Sequence, residues 1–246
     1  ELNIFLNSRP YEVATKVEDN TTRLIYYVKS VSPTPNRLSI LAGDAIHNLR
    51  SVLDHIAYQL VAQNTNGNPS RPERIYFPIS NSLEDYEKNK YRMMCGVTND
   101  VFDVIDTIKP YKEGNILLWQ LHRLNNIDKH RLLLTVGSQF RSINLSAMSS
   151  GVLHDDIPEA FREAFISMEK QIFIRPADTG FPLTPGLELT KTLPGGVEDI
   201  NAQFQFDVAL HESGVVEGRP LIGLMENIKQ EVERAIELMK PLFESR

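Results

Sequence analysis

The stretch Gly43–Leu60, GDAIHNLRSVLDHIAYQL, concentrates side chains that move protons, ligate metals or hold phosphate. At about 100° per residue it separates into two helix faces. Leu38, Leu41, Ala42, Ala45, Leu49, Val52, Leu53, Ile56 and Leu60 form an apolar stripe. Asp44, His47, Asn48, Ser51, Asp54, His55, Tyr58 and Gln59 form the other face, with Arg50 at its edge. An ordinary solvated face is built from Lys, Glu, Gln and Arg, and this one is not. A second cluster follows downstream in Asn125-Asn126-Ile127-Asp128-Lys129-His130-Arg131. There Lys129 or Arg131 can neutralise a phosphate or carboxylate, and His130 can act as acid or base. Cations closing a helix are equally explained by the macrodipole.

Arg50 and His55 form an Arg-x4-His pair at a helical position. The pair resembles the Arg-x(4–6)-His motif of the HEPN superfamily, many of whose members are metal-independent endoribonucleases. The resemblance implies that arginine and histidine act on the scissile phosphate, usually across a homodimer cleft. On this chain it implies Arg50 as phosphorane stabiliser, His55 as general acid or base, and Asp54 as the residue orienting one of them. His47, Asn48, Ser51 and Tyr58 would line the cleft. Lys129, His130 and Arg131 would hold phosphate. The sequence departs from the family in having Ser51 after the arginine, and in β segments foreign to a plain HEPN bundle. GDxxHNLRSxLDH with a downstream DKHR also resembles a group of bacterial proteins, a likeness that implies no activity.

Geometry limits the motif. Five residues turn a helix by about 500°, leaving Arg50 and His55 about 140° apart. One isolated helix therefore supplies half of a site, completed by the DKHR segment or by a second copy. Arg50 and Asp54, spaced i,i+4, are placed to pair with each other, which is the structural reading of the same residues. A metal reading draws on Asp44, His47, His55, His122, Asp128 and His130. However, Asp44 and His55 lie about 16 Å apart along the axis, too far for one coordination sphere. A third reading makes the polar face a hydrogen-bonded network or partner surface without catalysis. No HExxH, Cys/His spacing, EF-hand loop, GxSxG, GxxxxGK[ST] or GxGxxG occurs. Cys95 reads as core rather than nucleophile.

The 246 residues suit one large domain or two small ones. No apolar run approaches the ~18 residues needed to span a bilayer. The sequence opens at Glu1 without a signal-peptide pattern, and its single cysteine rules out an internal disulfide framework. The expectation is a cytoplasmic protein with no required cofactor. A net charge of −6 is unsuited to strong nonspecific nucleic-acid binding, so an RNA would be gripped by a few local cations.

These side chains must be positioned by predicted elements. Tyr11–Glu18 and Arg23–Val31, joined by Asp19-Asn20-Thr21, predict a hairpin. Asn36 opens a helix to about Gln63. Gly43 within it costs roughly 1 kcal/mol against alanine, which points to close backbone approach there. Ser82 with Asp85 predicts a capped helix. Asn99 or Asp100 opens another, stopped by Pro110. Gly114–Ile127 predicts a helix, then strands near Leu132–Val136 and Phe140–Met148. Pro158 to Lys170 reads as helix, and Gln171–Arg175, Leu187–Thr192 and Gln203–His211 as strands. Pro220–Phe243 closes the chain as a helix with a coiled-coil-like seam through Leu221, Met225, Ile228, Val232, Ala235, Met239 and Leu242. The mixture without regular βαβ alternation predicts α+β, with an antiparallel sheet and a helical layer. One composite domain is expected, helix-rich to about residue 127 and sheet-rich from 128 to 246.

Overall fold

The computed structural model describes residues 1–131, 134, 136–144, 173–174, 181–191 and 203–244. The fold is α+β, with two small antiparallel sheets and a set of helices. The helix expected from Pro158 and the residues His154-Asp155-Asp156 lie outside the described residues. Two compact units are present, and neither is a continuous stretch of chain. The first is Glu1–Leu38 with Val136–His211, and the second Ser39–Thr135 with Glu212–Arg246. The expected division near residue 127 thus takes another form: the N-terminal hairpin belongs with the later strands, and the last helix with the earlier helices.

In the first unit, α1 (Leu2–Asn7) precedes β1 (Tyr11–Val17) and β2 (Leu24–Val31), which pair antiparallel as the predicted hairpin. β5 (Glu188–Lys191) adds to β2. In the other sheet, β3 (Val136–Asn144) pairs antiparallel with β4 (Phe173–Ile174) and with β6 (Gln203–Glu212). Tyr26, Val28 and Leu183 are buried, with Tyr11, Val13, Phe204 and Phe206 packed on them. Tyr11 and Phe206 rings lie 4.4 Å apart and Tyr26 and Phe204 rings 5.3 Å, so aromatic faces supply much of this small core.

The second unit holds most of α2 (Asn36–Asn64), then α3 (Leu83–Met93), α4 (Asn99–Ile108) and α5 (Ile116–Arg131). β7 (Val216–Pro220) leads into α6 (Leu221–Met239) and the short α7 (Pro241–Glu244). Ser82 caps α3 as its sequence predicts, its hydroxyl accepting from Asp85 N at 3.1 Å. α6 packs on α4 and α5 through Leu221, Leu224, Ile228, Val232, Ala235 and Met239. Leu224 thus takes the place expected for Met225, and the helix ends before Pro241, which has no N–H to continue it. Asn115 ties α5 to α6: its amide donates to Glu231 Oε1 at 2.6 Å, while its Oδ1 accepts from Leu118 N at 3.1 Å. Gln120 is anchored likewise, donating to the Val215 carbonyl at 2.8 Å.

Two expectations are corrected here. Cys95, expected in the core, is exposed; it sits in the turn after α3, where the fully buried Met94 fills the apolar position instead. α5 does not stop at Ile127 but continues to Arg131, because nothing between the two residues breaks a helix. The Asp-Lys-His-Arg segment is therefore its last turn.

Candidate functional site

α2 is one uninterrupted helix, entered after Pro33 and Pro35, which cannot extend a helix backwards. Its buried side is not the stripe the hydrophobic residues mark. Ala42, Ile46, Leu53, Ala57, Leu60 and Val61 are buried together with Gly43 and Arg50, whereas Leu41 and Val52 are exposed. The buried arc is turned by roughly 80° towards Arg50. One contact on this arc is with α5. Gly43 lies against Asp128 of α5: a Cβ built on Gly43 would stand 2.8 Å from Asp128 Cγ and 2.9 Å from its Oδ2. The close approach that Gly43 signals in the sequence is thus an approach of α5.

That approach puts the flank of α2 carrying His47, Arg50 and Asp54 beside the C-terminal half of α5. Arg50 is 4% exposed, and its guanidinium donates to Asp54 Oδ1 at 2.6 Å and to the Phe77 carbonyl at 2.9 Å. Asp54 Oδ1 also accepts from Phe77 N at 2.9 Å. The i,i+4 pair is therefore formed, and both partners clamp the chain around Phe77. Burial pushes the Arg50 pKa down from its ordinary value, while the charge of Asp54 pushes it up; guanidinium stays protonated under both influences.

A cavity of about 230 Å³ opens beside this clamp. Arg50 and Asp54 line it from α2, Tyr76, Phe77 and Ile79 from the loop before α3, and His122, Asn125, Asn126 and Lys129 from α5. The α5 residues recur at i, i+3, i+4 and i+7, one face of one helix. Burial, reinforced by the charges of Arg50, Arg123 and Lys129, holds His122 down at about 4, so its ring is neutral at pH 7. The Asn126 amide donates to His122 Nε2 at 3.1 Å. The proton of the neutral ring is then on Nδ1, which is buried and meets no hydrogen-bond partner among the described residues.

His47 stands at the rim, exposed, with Nδ1 3.2 Å from Asn125 Oδ1. An amide oxygen only accepts, so in the neutral ring Nδ1 carries the proton and Nε2 the lone pair. Ser51 Oγ lies 3.5 Å from that Nε2. Asn125 is 3% exposed. An imidazole nitrogen oriented by a buried acceptor and facing a hydroxyl has the layout of a general base.

The other sequence candidates are placed as follows. Asp44, Asn48, His55 and Tyr58 lie on the exposed side of α2, outside the cavity lining, so Arg50 and His55 do not meet within the chain. Lys129 and His130 are exposed, and only Lys129 lines the cavity. Arg131 ends α5. Among the described residues, no group of three or more His, Cys, Asp or Glu side chains is arranged to hold a metal ion. Sequence reasoning passed over Asn125 and Asn126 as orienting groups, and over the cavity wall at Tyr76, Phe77 and Ile79. The usable signal was the polar i, i+3, i+4, i+7 spacing on α5 taken together with Gly43 on α2.

No helix among the described residues is long and apolar enough to cross a membrane. No protein-family model matches the chain, and neither a curated protein nor a solved structure matches it.

Proposed function

We propose that the chain is a HEPN-like, metal-independent protein that cleaves phosphodiester bonds in RNA, with the reaction placed where α2 meets the end of α5. The observation that carries this reading is the His47–Asn125 hydrogen bond beside a cavity lined by Arg50, His122 and Lys129. In the proposed step a ribose 2′-hydroxyl takes the position Ser51 Oγ occupies near His47 Nε2. The hydroxyl oxygen bonds to phosphorus as its proton passes to Nε2. The bond from phosphorus to the 5′-oxygen breaks, and His47 returns the proton to that oxygen. The products are a 2′,3′-cyclic phosphate and a 5′-hydroxyl, with no net change in protons. Lys129, exposed at the cavity, is the group that would meet a non-bridging oxygen, while His122 stays inside the wall with its Nε2 held by Asn126. Arg50 supports the wall as a positioning residue, its two Nη atoms being engaged by Asp54 and Phe77. The homodimer implied by the HEPN resemblance would bring a second α2, and with it His55, to the open side.

The test is cleavage of a labelled single-stranded RNA by wild type and by His47→Ala, Lys129→Ala and His55→Ala, in the presence of chelator. Removing a general base costs about 10²–10⁴ in rate. His47→Ala is expected to lose at least 10² in rate while still unfolding in one cooperative transition, the melting temperature lowered only by the lost Asn125 bond. Wild-type cleavage by His47→Ala refutes the placement of the reaction. Loss in His55→Ala alone moves it to the dimer cleft.

A further inference from the structure

A separate cavity of the second unit, about 320 Å³, is lined by Ser70, Arg71, Arg74, Ile75, Arg92 and Cys95. It lies between the short 3₁₀ turn Pro72–Arg74 and the end of α3. Backbone bonds hold the two segments in place: Tyr76 N donates to the Met93 carbonyl at 3.2 Å and Arg74 N to the Arg71 carbonyl at 3.0 Å. Ile75, 8% exposed, packs inward. Three arginines thus line one cavity, and none of its lining residues is acidic.

Their partners do not account for this gathering. Arg74 Nε stands 3.8 Å from Glu73 Oε1, both side chains largely in solvent, which is a weak pair. Arg92 gives one donor to Asn89 Oδ1 at 3.0 Å, leaving the rest of its fork. Arg71 takes part in no ion pair among the described residues. Nor does composition explain them, since acids outnumber bases and the net charge is −6. Three arginines lining one space suit a multivalent anion, and guanidinium forks match phosphate oxygens bidentately. Ser70 adds a hydroxyl at the same wall.

We propose that this cavity binds a phosphate group, carried by a free nucleotide or by an RNA strand. The proposal is independent of the chemistry assigned to His47. Cys95, the single cysteine of the chain and exposed at this wall, provides a reporter. The experiment follows Cys95 alkylation by uncharged iodoacetamide during titration with inorganic phosphate, 5′-AMP, or an oligoribonucleotide lacking terminal phosphates. Calorimetric titration with the same probes runs in parallel. Expected is saturable protection with a matching calorimetric affinity, weakened about tenfold or more in Arg71→Gln and in Arg92→Gln. The arginines are exposed, so these variants leave the core untouched. Binding of phosphate and 5′-AMP but not of the oligonucleotide assigns the site to free phosphate; the reverse assigns it to the strand backbone. The proposal is overturned if no probe binds saturably by either method. It is equally overturned if binding persists at wild-type strength in the Arg71→Gln/Arg92→Gln double variant.

Discussion

Gly43→Ala is the sharpest perturbation of the α2–α5 junction. In an isolated helix the change is favourable by about 1 kcal/mol. Here the new methyl would stand 2.8 Å from Asp128 Cγ and 2.9 Å from Oδ2, inside van der Waals contact, so the carboxylate or the helix must move. Forcing an extra methyl into a contact costs about 1–3 kcal/mol, and displacing the end of the half-buried Asp128 side chain belongs in the lower half of that range. Taking about 1.5 kcal/mol for that cost, the net change in the wild-type background is a destabilisation of about 0.5 kcal/mol. In an Asp128→Ala background the obstacle is gone, and the same substitution is expected to stabilise by about 1 kcal/mol. The double-mutant cycle should therefore show a coupling of about 1.5 kcal/mol, well beyond the 0.3–0.5 kcal/mol scatter of independent sites. Urea unfolding of the four proteins measures it, with thermal melting as a check at about 2–4 °C per kcal/mol. Additive changes, or Gly43→Ala stabilising the wild type, would show that Asp128 does not press on α2.

Two further predictions concern the clamp and the buried histidine. Arg50→Met leaves the Phe77 carbonyl without its partner and Asp54, 28% exposed, with Phe77 N alone, a loss of about 1–3 kcal/mol; a loss under 1 kcal/mol in chemical unfolding would mean the pair is idle. His122 has a folded-state pKa depressed to about 4 from an ordinary 6.5, so it binds its proton more weakly folded than unfolded. Its contribution is accordingly intact above pH 6.5 and is lost as pH falls towards 4, by up to about 3 kcal/mol. The slope of stability against pH between 6.5 and 4 should flatten in His122→Gln, and an unchanged slope would contradict the burial argument.

The sequence by itself determined what is local. Proline before Asn36, the Ser82 cap and the Asp19-Asn20-Thr21 turn act through neighbouring residues, and each element they predict is present. The α+β class follows from the same periodicities, and the i,i+4 spacing of Arg50 and Asp54 predicts a pair that forms. The flank of α2 that turns inward was not legible. Leu41 and Val52 are apolar and Arg50 is charged, yet the first two are exposed and the third is buried. Burial of a guanidinium is tolerated only when carboxylate and carbonyl acceptors arrive together, and the Phe77 carbonyl comes from 27 residues away. Gly43 announced a close approach without naming Asp128, because a missing side chain records that space is needed and not what fills it. The grouping of His47 with Asn125, 78 residues on, is likewise a product of tertiary packing. Helical spacing decides which residues share a face; only the packed helices decide what that face meets.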